Sequence, residues 1–176
     1  KEFFLSGVAN VYDLGEDERA TVKTSGHDYT TRLLVRYPND PAKFNGRVYI
    51  DILNASSGVD LEDTWRRSWQ YMLNNGYAYI GITSKSLTAD ALKKFDPQRY
   101  AEINWQVDGK NENGLFWDML SQLGTQLRQP GTGGILGKLQ PKYVYLGGQS
   151  QSGFYMNTYI TAFTDRLEIA GPGGKP

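Results

Sequence analysis

The chain has 176 residues, with 19 basic and 19 acidic side chains, one histidine, no cysteine, 12 tyrosines and 4 tryptophans. That length suits one domain with its own core, and the absence of cysteine excludes disulfides, thiol catalysis and cysteine-held metal. Balanced charge without like-charge blocks gives no footprint for nucleic acid, no apolar run is long enough to span a bilayer, and no cleavable signal opens the chain.

Phe3 to Leu14 and Thr30 to Tyr37 alternate apolar with polar residues around a charged, glycine-containing turn, which predicts an antiparallel opening to a sheet. Pro38, Pro41 and Gly46 punctuate the exit. Arg47 to Leu53 reads as a third strand, and Asn54-Ala55-Ser56-Ser57-Gly58 as a tight loop beyond it. Asp60 to Asn75 has helical spacing, with Trp65, Trp69, Met72 and Leu73 on one face and Gly76 as its stop. Tyr77 to Thr83 is almost wholly apolar, as a central parallel strand covered on both faces should be. The stretch from Ser84 to Gly114 is less regular, with a short helix near Ala89 to Lys94. Asn113 to Gln129 repeats Leu115, Phe116, Met119, Leu120, Leu123 and Leu127 at helical spacing. Pro130-Gly-Thr-Gly-Gly134 breaks it; these glycines follow a helix and lack a Gly-Lys-Ser/Thr tail, so they predict a connector and not a phosphate loop. Strands alternating with helices specify an α/β domain, its sheet largely parallel and entered through an antiparallel hairpin, with helices on both faces.

The most informative stretch is Tyr143 to Gly153. An apolar run enters Gly148-Gln149-Ser150-Gln151-Ser152, and a helix-compatible segment reaching Phe163 follows. This is the layout of a nucleophile elbow, a cramped strand-to-helix turn that lifts a serine hydroxyl above the end of a sheet. The turn needs small residues two before and two after the nucleophile. Centred on Ser150 these are Gly148 and Ser152; centred on Ser152 the second would be the bulky Phe154. Ser150 is therefore the candidate nucleophile.

Acyl transfer by serine develops an oxyanion, and losing one preorganised donor to it costs about 3–4 kcal/mol of barrier. One donor is expected from the backbone N–H of Gln151, the other from the loop after the third strand: the N–H of Ala55, with Asn54 as the alternative. The competing reading makes Asn54 to Gly58 a cap for the next helix, with Asp60 or Ser57 as N-cap. Ser56 on this loop and Trp105 in the irregular segment are candidate substrate contacts. Asp118, on a predicted helix, reads as solvent-facing or locally paired, with support of the site from behind as the alternative, and Asp51 as a cross-strand partner of Arg32 or Arg36.

Taken together, Ser6-Gly-Val-Ala-Asn10, Tyr29-Thr-Thr-Arg-Leu-Leu-Val-Arg36, Leu53-Asn-Ala-Ser-Ser-Gly58, Phe116-Trp-Asp-Met-Leu-Ser-Gln122 and Gly148-Gln-Ser-Gln-Ser152 resemble the alpha/beta-hydrolase superfamily. More narrowly, they resemble bacterial and fungal alpha/beta hydrolase domain-containing proteins. The resemblance implies a serine carboxylic-ester hydrolase acting on a small-molecule ester, with no metal or organic cofactor and with some secreted members. A secreted or periplasmic location is the leaning, to which the aromatic content adds a little. Such proteins continue through further strands, a cap, an acid and a histidine.

A serine hydroxyl needs a base, usually a histidine oriented by a carboxylate. The one histidine, His27, lies upstream, in what reads as the turn before Thr30, and at the end of the sheet opposite the serine. Asp165 and Glu168, downstream carboxylates, come too early to return to the top of the sheet. The expectation is thus the N-terminal part of a single hydrolase domain over residues 1–176, providing Ser150 and the oxyanion hole. A C-terminal companion chain of the same precursor would add the acid, the histidine and the remaining strands. The alternative from another class is a non-catalytic ligand-binding protein on the same scaffold; a complete esterase with His27 as base is the third.

Overall fold

The computed structural model describes residues 1–129 and 134–163. Residues 130–133 of the expected 130–134 connector, the carboxylates Asp165 and Glu168 and the C-terminal tail lie outside the described residues. A long hairpin, β1 (Glu2–Leu14) and β2 (Ala20–Arg36), opens the chain, and β3 (Arg47–Ile52), α1 (Asp63–Asn74), β4 (Ala78–Ile82) and α2 (Ser86–Phe95) follow. A small ribbon, β5 (Gln106–Val107) with β6 (Lys110–Asn111), leads to α3 (Phe116–Arg128), β7 (Tyr143–Gly148) and α4 (Gln151–Ala162). The main sheet has the order β1-β2-β4-β3-β7. The hairpin pairs antiparallel within itself and with β4, while β4, β3 and β7 form the parallel core of the sheet. All five residues of β4 are buried, which is what drives its continuous apolar sequence. One apolar cluster joins Leu33, Val35, Ile50, Ile52, Ile80 and Ile82 of the sheet to Phe116, Met119 and Leu123 of α3.

The hairpin is longer than alternation suggests, because β2 starts at Ala20 and not at Thr30. Leu33 pairs with Ile82 at the end of β4, so residues of β2 before Leu33 project past the parallel strands. Beyond the parallel strands the ribbon meets the core through Val11, Tyr12 and Ala20, while Thr21 to Gly26 are all exposed and leave no period-2 signal. The register of β1 shifts around Asn10, and Asp118 of α3 fills that bulge. Its carboxylate accepts the Asn10 N–H at 2.7 Å and the Tyr12 hydroxyl at 2.6 Å. Asp118 therefore joins α3 to a distant strand instead of facing solvent or pairing locally.

Three further expectations change. Helix α1 begins at Asp63, and Asp60 is not its cap but an ion-pair partner of Arg32, at 2.9 Å. Of the four apolar residues assigned to one buried face of α1, only Met72 is buried, while Trp69 and Leu73 are 44% and 51% exposed. Asp51 meets neither Arg32 nor Arg36, because β4 stands between β3 and β2. It is buried instead under Tyr79 and Thr64, whose hydroxyls donate to its two oxygens at 2.9 and 3.0 Å.

Burial pushes the Asp51 carboxyl up to about 6, against the opposing pull of those hydrogen bonds. A folded value above the unfolded one means the native state holds the proton more tightly. The associated stability is complete below about pH 4 and is lost as pH rises through about 6. Asp51→Asn keeps an acceptor for Thr64 and removes the charge. Denaturant titrations of wild type and Asp51→Asn at pH 4 and pH 7 should show the variant gaining roughly 3 kcal/mol relative to wild type over that interval.

Candidate active site

Ile52 pairs with Ile82 on one side and with Gly148 on the other, so β3, β4 and β7 finish level and their following loops open at one end of the sheet. Two glycines make the passage from β7 into α4 possible. A Cβ on Gly147 would lie 1.8 Å from the Tyr49 hydroxyl, and one on Gly148 would lie 2.4 Å from the backbone oxygen of Ser152. At Gly148 the strand end is thus pressed against the helix start, and at Gly147 it is pressed against Tyr49 of β3.

The connecting turn is correspondingly tight. Ser150 has φ 55° and ψ −120°, the conformation of the first central residue of a type II′ turn, which ordinarily belongs to glycine. A side chain held there costs on the order of 1–3 kcal/mol. The two serines of the motif divide sharply. Ser150 is exposed, whereas Ser152 is buried, and its hydroxyl accepts the Gln149 N–H at 2.9 Å and donates to the Gln149 carbonyl at 3.0 Å. Ser152 is thereby committed to bracing the turn.

The loop after β3 lies against this turn. Asn54 donates through Nδ2 to the Gln149 carbonyl at 2.8 Å and accepts the Ser56 N–H on Oδ1 at 2.9 Å. Its own N–H is given to Leu61 at 3.2 Å, so Asn54 is a clasp between loop and turn and has no backbone donor left for an oxyanion. The Ala55 N–H points at the turn, where it donates to Oε1 of the Gln151 side chain at 3.1 Å. As the first residue of α4, Gln151 has a backbone N–H without an intrahelical acceptor. Two backbone donors and one exposed hydroxyl therefore belong to segments fastened to each other. Ser56 is exposed at the loop's edge.

Below the loop, Asp60 accepts from Arg32 of β2 and from the Thr83 hydroxyl just past β4. Arg32 also reaches Glu2, which in turn binds Arg99 and Tyr100. Neither the Asn54 clasp nor this ion-pair floor was legible beforehand. An amide directly after a strand, followed by small residues, is the one signal that could have marked Asn54.

Trp105 is packed inside the protein and not on its surface. It is 2% exposed and stacks on Phe116, ring centroids 6.3 Å apart, because Asn104 exchanges backbone hydrogen bonds with Thr30 and tucks the segment inward. It presents no surface for a substrate. His27 sits inside β2, paired with Ala9, and not in a turn. It projects past the same end of the sheet that carries Ser150, which corrects the expectation of the opposite end. Yet it stands six residues beyond Leu33 and three strand spacings from β7, about 20 Å along and about 14 Å across. Its Nε2 shares a 2.8 Å hydrogen bond with Thr24. Among the described residues no group of three or more His, Cys, Asp or Glu could hold a metal ion, and no helix is long and apolar enough to cross a membrane.

A family model described as an alpha/beta hydrolase domain matches residues 1–172. No curated protein matches the chain.

The strain at residue 150 gives a measurable difference between two substitutions that both remove the hydroxyl. Ser150→Ala keeps a Cβ at positive φ, and Ser150→Gly relieves it. Equilibrium unfolding should find Ser150→Gly more stable than Ser150→Ala by about 1 kcal/mol, after the larger unfolded-state entropy of glycine is offset.

Proposed function

The chain belongs to the alpha/beta hydrolase domain family, and on that premise we propose that it carries the nucleophile and oxyanion hole of a serine carboxylic-ester hydrolase. One observation carries the proposal: Ser150 alone in the turn is exposed, strained and free of a bracing role. A pocket that only held a ligand would gain nothing from a serine kept at φ 55°.

In this reaction Ser150 Oγ attacks the ester carbonyl carbon while its proton passes to a histidine base. The carbonyl oxygen becomes an oxyanion between the N–H groups of Gln151 and Ala55. The carbon–oxygen bond to the alcohol then breaks, the alcohol leaves with the proton held by the base, and an acyl group remains on Ser150. Water repeats the attack, gives its proton to the base, and releases the carboxylic acid with Ser150 restored. Asn54 positions the loop instead of donating, and Ser56 lines the approach.

The histidine and its carboxylate come from a C-terminal companion of the same precursor, seated along β7. The surface of β7 supports this, since among the described residues it pairs only with β3 while Tyr143 and Tyr145 are 55% and 43% exposed. A strand in such a place normally has a second neighbour.

A fluorophosphonate probe tests the proposal on material purified with every accompanying chain. Peptide mass spectrometry should find the adduct on Ser150, Ser150→Ala should abolish it, and hydrolysis of a short-chain ester should fall at least about a thousandfold in that variant. A folded sample that takes up no probe would remove the enzyme reading.

A further inference from the structure

The Gln151 side chain stands in an unexpected place for a residue whose backbone N–H is a proposed oxyanion donor. Its amide carbonyl accepts the Ala55 N–H at 3.1 Å, within the distance at which such a donor would hold a substrate oxyanion. A carbonyl oxygen of the chain itself thus takes the second donor in the free site. The orientation of the amide is fixed by that contact, because only the oxygen can accept from Ala55. The other end of the same amide is not accommodated: Gln151 Nε2 is buried without a hydrogen-bond partner among the described residues. One hydrogen bond is gained and one donor is stranded, so the seated conformation is held weakly. The groups around it are each bonded in place, Asn54 by Gln149, Ser56 and Leu61, and Ser152 by Gln149. Among the described residues, Gln151 Nε2 is the one buried side-chain nitrogen of the loop–turn contact that makes no hydrogen bond.

We infer that the Gln151 side chain is a gate on the oxyanion hole: its carbonyl occupies the Ala55 N–H until the carbonyl oxygen of an arriving ester displaces it. This deepens the serine-hydrolase proposal and rests on it. Displacement lets Nε2 reach water as Ala55 turns to the substrate, so opening recovers at one end part of what it loses at the other. The gate discriminates by acceptor strength. A strong, unhindered carbonyl acceptor competes with the amide, whereas a weak or shielded one leaves the donor covered.

Two substitutions move the gate in opposite directions while keeping the backbone N–H of residue 151. Gln151→Ala removes the internal acceptor; Gln151→Glu replaces it with a charged, stronger one. In the full chain with its companions, hydrogen exchange at the Ala55 amide should quicken roughly three- to tenfold in Gln151→Ala, the factor that one ordinary hydrogen bond carries, and slow in Gln151→Glu. The rate of fluorophosphonate labelling at Ser150 should follow, rising by a similar factor in the first variant and falling in the second. A general loosening of the turn would push both variants the same way. If wild type is labelled and Gln151→Ala is labelled no faster, the gate is wrong and the nucleophile stands. If wild type is inert, the nucleophile proposal falls and takes the gate with it. Unchanged Ala55 exchange in Gln151→Ala overturns the gate whatever the labelling shows.

Discussion

The approach of the Gly148 backbone to the carbonyl of Ser152 governs the rest of the site. With no room for even one methyl group between strand end and helix start, only Gln149 and Ser150 are left to turn the chain. A turn that short forces Ser150 to positive φ and turns its side chain outward. The same closeness lets the buried Ser152 hydroxyl bond Gln149 at both its N–H and its carbonyl, so the turn is braced from beneath. It also leaves the N–H of Gln151 at the start of a helix, where no carbonyl of α4 can take it. Strain, exposure and an open donor are thus consequences of one steric fact.

That turn acquires its second wall because the parallel strands finish level. Ile52 ends β3 beside Gly148, and two residues on, the chain reaches Asn54, close enough for its side chain to meet the Gln149 carbonyl. The far end of the loop is held by Asp60, whose ion pair with Arg32 and hydrogen bond from Thr83 tie it to β2 and the end of β4. A buried pair of this kind is poor evidence for net stability, but removing one partner strands a charge at a cost of about 3–5 kcal/mol. Geometry is what it secures. The loop is pinned at both ends, so the Ala55 N–H between them has little freedom of direction.

The parts of the sequence that were legible are those in which chemistry and periodicity coincide. Tyr77 to Thr83 announces a covered strand because both its faces are buried, and the flanks of Ser150 announce an elbow because only small residues fit there. Elsewhere one face meets nothing and the pattern misleads. The first part of β2 looks like a turn since it lies beyond the sheet, and α1 looks like a buried amphipathic helix although Trp69 and Leu73 remain exposed. Long-range polar pairing left no trace at all. The neighbours of Asp51 differ from those its sequence suggests because strand order, β4 lying between β3 and β2, is not written in spacing. Trp105 was misplaced for a related reason, since two backbone bonds between Asn104 and Thr30 decide which way it faces.

The two margins of the sheet differ in a way that bears on the proposed companion. Strand β1 is interrupted near Asn10, where the register shifts and Asp118 takes the freed N–H, and such a bulge blunts an edge against pairing. Among the described residues, strand β7 has none of these protections. It runs six residues in unbroken register with β3, carries no charge and no proline, and places Tyr143, Val144, Tyr145 and Leu146 along its length. Tyrosine and β-branched residues are the types that cross-strand neighbours stabilise. A margin of that composition beside the Ser150 turn would be an aggregation hazard if left open, and an additional parallel strand would both cover it and end level with Gly148. The loop leaving such a strand would open at the same end of the sheet as Ser150, which is where the proposed mechanism places a histidine base.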